Sequence, residues 1–165
     1  MNVESVWLLD ANLLIALTHA AHVHHGVAQD WFATVAKRRF ATCTLTQLAY
    51  VRLSSNPRVA GAEISPAQAL SALRELCAHP GHVFWHDKAL PLDMASLNSP
   101  ALVGYRQVTD AYLLGLAAAH DQKLATLDRG LLGFAQATQL ARHLEWLGAP
   151  SAAHEPRARY RARKP

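Results

Sequence analysis

Three aspartates stand where apolar runs of the chain begin or end: Asp10, Asp110 and Asp128. Asp10 closes Val6-Trp7-Leu8-Leu9, Asp110 opens the alanine- and leucine-rich stretch 111–119, and Asp128 closes Lys123-Leu124-Ala125-Thr126-Leu127. A carboxylate beside a core element is costly unless it is paired, hydrogen-bonded or bound to a cation. Singly, each has an ordinary role. Asp10 and Asp110 are helix caps, and Asp128 starts the turn Asp128-Arg129-Gly130. Jointly, at element ends on one sheet edge, they are better explained by a divalent cation. Carboxylate oxygens suit Mg2+ or Mn2+ and leave coordination positions to water and phosphate. A cation so held lowers the pKa of a bound water, which points to hydrolysis of a phosphodiester bond.

The elements that must position these acids read as strands alternating with helices. Residues 5–9 form a wholly apolar strand of the kind buried on both faces of a parallel sheet. A short helix follows Asn12, and an amphipathic helix spans 24–37, with Lys37-Arg38-Arg39 suiting its C-terminal end. Phe40 to Cys43 is a second strand, and Thr44 caps a helix that ends at Asn56-Pro57. Ser65-Pro66 opens another helix, and His82 to His86 is a third strand. Residues 87–105 read as irregular. Thr109 or Asp110 caps a helix over 110–120, Leu124 to Leu127 is a fourth strand, and 145–147 is a short final one. The pattern predicts one α/β domain with a mostly parallel sheet of about four to five strands flanked by helices. In such sheets sites form outside the carboxyl ends of strands, where strand order reverses.

Composition narrows the class. A chain of 165 residues, half of them apolar, fits one domain over 1–149 with a full core. No run of eighteen apolar residues is present, and the N-terminus lacks a basic and an apolar region, so neither a membrane span nor a secretory signal is expected. Cys43 and Cys77 are far apart and read as reduced thiols of a cytoplasmic protein. Residues 151–165 hold five basic groups against one acidic, which accounts for the whole net charge of +4. Residues 150–165 therefore read as a basic, disordered tail, serving either phosphate attraction or solubility.

Four blocks carry a resemblance to a known family: Leu8-Leu9-Asp10-Ala11-Asn12; Thr44-Leu45-Thr46-Gln47 with Val51-Arg52; Val108-Thr109-Asp110-Ala111-Tyr112-Leu113; and Leu124 to Gly130. In this order and spacing the chain resembles PIN-domain ribonucleases, above all the VapC toxins of bacterial toxin–antitoxin pairs, over roughly residues 5–148. The resemblance implies a single PIN-like domain and a Mg2+- or Mn2+-dependent endoribonuclease acting on tRNA or rRNA. It also implies a homodimer held inactive by a VapB-like antitoxin. Carried over by position, Asp10, Asp110 and Asp128 are the catalytic, metal-binding acids. Asn12 and Thr109 support them by hydrogen bonds, with Thr126 a further candidate. Gln47 stands where family members usually carry glutamate, so Gln47→Glu is expected to tighten metal binding. Arg52 and Arg129 are candidates for substrate phosphate, or for structural ion pairs.

Other readings stay beside this one. An RNA-processing nuclease without an antitoxin would keep the same acids. A non-catalytic RNA- or protein-binding module would explain Gln47 but leave three retained aspartates without a purpose. His19, His22, His24 and His25 suggest a transition-metal site, but no matching Cys/His pair follows and adjacent histidines on a helix diverge. Trp31-Phe32 and Phe84-Trp85 read as core, because base-stacking aromatics are interleaved with basic residues. The 111–119 stripe is core or a dimer face. There is no Gly-rich phosphate loop.

Overall fold

A computed structural model describes residues 5–36, 39–60, 63–86 and 91–148. The chain opens with strand β1 (Trp7–Leu9), helix α1 (Ala11–Thr18) and helix α2 (His25–Trp31), which continues as wider turns through Phe32–Ala36. Strand β2 (Phe40–Cys43) leads directly into helix α3 (Thr44–Ser54), then α4 (Pro57–Ala60), α5 (Pro66–Cys77) and strand β3 (His82–Trp85). Two 3-10 turns, Pro91–Asp93 and Tyr105–Gln107, precede helix α6 (Val108–Ala119). Strand β4 (Lys123–Thr126), helix α7 (Leu131–Ala137), the turn Ala141–His143 and strand β5 (Leu144–Trp146) complete the fold.

The five strands lie in the order β3-β2-β1-β4-β5, and every pair is parallel. The chain builds outward from β1 on one side, then crosses to add β4 and β5 on the other. Strand order therefore reverses between β1 and β4, whose registered partners are Leu8 with Leu124 and Leu9 with Ala125. Side chains alternate between faces along a strand. Leu8, Ala41, Cys43 and Leu124 pack on one face with α6 and α7. Leu9, Phe40 and Ala125 pack on the other with α1, α3 and α5. That explains why the central strands read as unbroken apolar runs: both faces are covered.

Several sequence expectations shift in detail. Cys43, not Thr44, is the residue before α3, and its N–H donates to the Thr46 hydroxyl at 3.0 Å. Helix α6 starts at Val108, so neither Thr109 nor Asp110 caps it; Asp110 lies inside its first turn. Ser65 does cap α5, accepting from the Gln68 N–H while Gln68 accepts from the Ser65 N–H. Trp85 is buried as expected, but Phe84 is 38% exposed. Helix α7 was not anticipated. The 111–119 stripe is core, with Leu113, Leu114, Leu116 and Ala117 buried. Among the described residues no helix is long and apolar enough to cross a membrane. Lys37-Arg38, residues 87–90 and the basic tail at 150–165 lie outside the described residues.

One carboxylate ties the sheet edge together. Glu145 on β5 accepts from the indole N–H of Trp7 on β1 at 2.6 Å and of Trp31 on α2 at 2.7 Å. It also pairs with Lys123 on β4 at 3.4 Å. Two half-buried indoles share one charged acceptor, and both lose it together. Glu145→Leu is expected to destabilise the protein by about 2–3 kcal/mol, with Glu145→Gln losing less. Urea unfolding followed by tryptophan fluorescence checks this, and an unchanged midpoint for Glu145→Leu would refute it.

Candidate active site

Asp10 follows the last residue of β1 with an extended backbone, so alternation puts it on the same face as Leu8, the face of α6. It is only 8% exposed. Its Oδ1 accepts from the Ala11 N–H at 2.6 Å, which makes it the N-cap of α1 as expected. Its Oδ2 accepts from the Thr126 hydroxyl at 2.7 Å, across the reversal point. Burial pushes the Asp10 carboxyl up from the ordinary range. The bonds from Thr126 and Ala11 oppose this, and the nearby Asp128 adds to it.

Thr126 is the hub of this seam. Its hydroxyl oxygen accepts from the Asp128 N–H at 3.0 Å and from the Asn12 amide at 3.2 Å. Asn12 Oδ1 in turn accepts from the Leu127 N–H at 3.3 Å. The end of β1 and the end of β4 are thus laced together through the side chains of Asp10, Asn12 and Thr126 and the backbone N–H groups of Leu127 and Asp128. Asp128 also makes the turn anticipated for it, with its Oδ1 accepting from the Gly130 N–H at 2.7 Å.

Asp110 enters from the first turn of α6 and completes the trio. Burial, then the charges of Asp10 and Asp128, push its carboxyl up to about 6. Among the described residues no hydrogen bond reaches this carboxylate. With Asp128 it lines a hollow of about 110 Å³, closed by Arg106, Gly130, Leu131 and Phe134. Among the described residues no group of three or more His, Cys, Asp or Glu side chains is gathered closely enough to hold a metal ion. Asp110 and Asp128 nevertheless line one hollow, and Thr126 bridges Asp10 to the Asp128 backbone, so the three aspartates share one rim. An open carboxylate rim of this kind fits Mg2+ or Mn2+, which accept few protein oxygens and keep several waters. A donor-free, half-buried acid between two like charges is a place where a cation relieves repulsion.

The other sequence candidates are dispersed. Gln47 is not hydrogen-bonded to the acids: its Nε2 donates to Thr42 Oγ1 at 2.9 Å and approaches Cys77 Sγ at 3.9 Å. Thr42 shares the face of Phe40, so this contact draws Gln47 toward the layer opposite α6. Thr109 is exposed and lines a separate, mainly apolar hollow of about 470 Å³ with Thr44, Leu45, Pro91, Leu97 and Tyr112. Arg52 is exposed near the end of α3 and, among the described residues, makes no ion pair. Arg129 is exposed, with its guanidinium 5.8 Å from the Trp146 ring centre. The histidines form no metal site among the described residues; His25 meets the Ala16 carbonyl and His19 packs edge-on to Tyr50. Sequence reasoning missed Arg106. It lies four residues before Asp110, about one helical turn, and that spacing was the available signal.

No family model matches the chain. Among curated proteins it is similar to Ribonuclease VapC38 of Mycobacterium tuberculosis, at 43% identity over 129 residues, covering 78% of this chain and 89% of that protein. Ribonuclease VapC29 of the same organism is 44% identical over 124 residues, covering 75% and 86%. Ribonuclease VapC39 is 40% identical over 131 residues, covering 79% and 94%.

The acid trio has a consequence for stability. Asp110 binds its proton more tightly folded than unfolded, so the metal-free protein loses stability as pH rises from about 4 through about 6. Above that range the penalty is full; below it the penalty is absent. In EDTA at pH 7, Asp110→Asn is therefore expected to raise Tm by roughly 2–4 °C, about 1 kcal/mol after discounting for partial exposure. The gain should vanish near pH 4. Thermal melts across this range decide the matter, and a variant less stable than the parent at pH 7 would contradict it.

Proposed function

This chain belongs to the VapC ribonucleases, and from that premise we propose that it is a Mg2+- or Mn2+-dependent endoribonuclease toxin cutting tRNA or rRNA. Its partners in this reading are the RNA substrate, a VapB-like antitoxin that holds it inactive, and a second copy of itself; its place is the cytoplasm. The observation that supports the reading is the Asp110 carboxylate, which among the described residues accepts no hydrogen bond and shares a hollow with Asp128 beside the strand reversal point. That is an arrangement the bare fold has no use for.

Asp10, Asp110 and Asp128 would hold the cation. When bound, it supplies activation of a water and neutralisation of charge on the phosphate. The chain's own residues do the positioning. Ala11 N–H and the Thr126 hydroxyl fix both oxygens of Asp10, each of which keeps a further lone pair. Asn12 and Thr126 hold the Asp128 backbone against the end of β1. In the hydrolysis, water oxygen adds to phosphorus, the P–O ester bond breaks, and the leaving oxygen takes up a proton. In this reading Arg129, beside Asp128, and Arg52, both exposed, would contact the RNA backbone. Gln47 would reach the acids only by leaving Thr42 and Cys77. Thr109, exposed on the neighbouring hollow, would support the site only from its edge.

The test is cleavage of total RNA by the purified chain, freed of antitoxin, with fragment ends sequenced. Cutting is expected in Mn2+ or Mg2+, lost in EDTA, and reduced at least about a hundredfold in kcat by Asp10→Asn or Asp110→Asn. An Asp110→Asn protein that cuts at the parental rate would sink the site assignment.

A further inference from the structure

The aromatic pairs that the sequence brought forward, Trp31-Phe32 and Phe84-Trp85, have ring neighbours that include histidines, but among the described residues no Lys or Arg lies over them. Tyr105-Arg106, in the 3-10 turn that feeds α6, has one. Tyr105 is 82% exposed. Arg106 Nε donates to the Tyr105 hydroxyl oxygen at 3.2 Å, and its guanidinium carbon lies 5.7 Å from the ring centre. The cation is held beside the hydroxyl edge, so most of the ring stays open to solvent. Arg106 also lines the hollow that Asp110 and Asp128 share, yet among the described residues it makes no ion pair. The turn itself is braced. Gln107 Oε1 accepts from the Val103 and Gly104 N–H groups at 3.1 and 3.2 Å.

A single exposed aromatic needs no explanation. An exposed aromatic bonded to an arginine that has no ion pair among the described residues, on a braced turn at the edge of an acid cluster, combines two separate requirements of single-strand binding. A positive charge follows the backbone and a ring face receives a base. In an A-form duplex the base faces are stacked away, so a base that reaches such a ring must be unpaired. Val103 and Val108 are also exposed nearby, which by itself would suit a protein partner. A protein covering Tyr105 would have to desolvate Arg106 as well, with no acid of this chain paired to it. A phosphate compensates that charge directly.

We propose that Tyr105 and Arg106 form a nucleotide subsite beside the acid cluster, in which Tyr105 stacks an unpaired base flanking the cut bond and Arg106 holds a neighbouring phosphate. The proposal rests on the ribonuclease reading above. It makes Tyr105 and Arg106 positioning residues that select unpaired RNA segments.

The test uses the full chain and a short fluorescein-labelled single-stranded RNA, with anisotropy in EDTA for binding and cleavage in Mn2+ for kinetics. Tyr105→Ala and Tyr105→Leu are expected to weaken single-strand binding about fivefold or more and to raise KM in proportion, with kcat within about twofold. Tyr105→Phe and Tyr105→Trp should bind like the parent, because they keep the ring. Arg106→Ala should lower the slope of log affinity against log salt by about 0.7. Parental affinity in Tyr105→Leu overturns the subsite. So does unchanged RNA affinity with loss of self-association or antitoxin binding, which would put Tyr105 in a protein interface. A parent chain that neither binds nor cuts RNA removes the ribonuclease reading and the subsite together. A parent that cuts, with all variants cutting equally well, removes the subsite alone.

Discussion

The hydrogen bond from the Thr126 hydroxyl to Asp10 Oδ2, 2.7 Å long, spans the one place in the sheet where strand order reverses. Much of the structure is arranged to allow it. Parallel pairing of β1 with β4 sets Leu8 opposite Leu124 and Leu9 opposite Ala125. That register brings the residues just beyond each strand to the same rim. Alternation then puts Asp10 and Thr126 on the α6 side, as it does Leu8 and Leu124. A one-residue slip of β4 would turn Thr126 to the opposite face and leave Asp10 buried with a single donor. Stability and site geometry thus depend on one register.

The parts legible in the sequence were those in which local pattern and tertiary environment agree. Leu8-Leu9 and Phe40-Ala41 are buried on both faces, and an unbroken apolar run announces that directly. Asp10 and Asp128 follow strands, so their place on a common rim followed from topology. The direction of a single side chain was not legible. Gln47 sits in the block aligned with the family's acid, yet its nearest polar partner is Thr42, whose face depends on the register of β2. Helix α7 was hidden because it has only seven residues, with Gly130 before it and Gly133 within it. Both glycines weaken a helical signal. Tyr105-Arg106 was lost inside a stretch read as irregular. Moving the start of α6 to Val108 places Arg106 about one turn before Asp110 and gives it meaning.

Charge is distributed around the rim in an ordered way. Outside the basic tail the chain is neutral by count. Two arginines nevertheless stand by the acids, each against an aromatic ring: Arg106 against Tyr105 and Arg129 against Trp146. Neither neutralises an acid by pairing with it among the described residues. An arginine that paired with Asp110 would lower its pKa and quiet the repulsion. It would also occupy that carboxylate. Ring contacts hold the guanidinium groups near the rim while leaving the acids open.

The three acids are not equivalent, and their differences divide the work. Asp10 is buried and has a donor on each oxygen, so its geometry is fixed before anything binds. Asp128 is exposed, and its backbone is held by Thr126 while one oxygen closes its own turn. Asp110 has no donor among the described residues, and burial and the charges of the other two push its carboxyl up. A site with all three satisfied internally would be more stable and would offer a cation little gain. A site with none satisfied would not hold its shape. The observed mixture places the cost on one residue, at the start of a helix otherwise packed into the core by Leu113, Leu114 and Leu116. That packing supplies the free energy which keeps an unfavourable carboxylate at this rim.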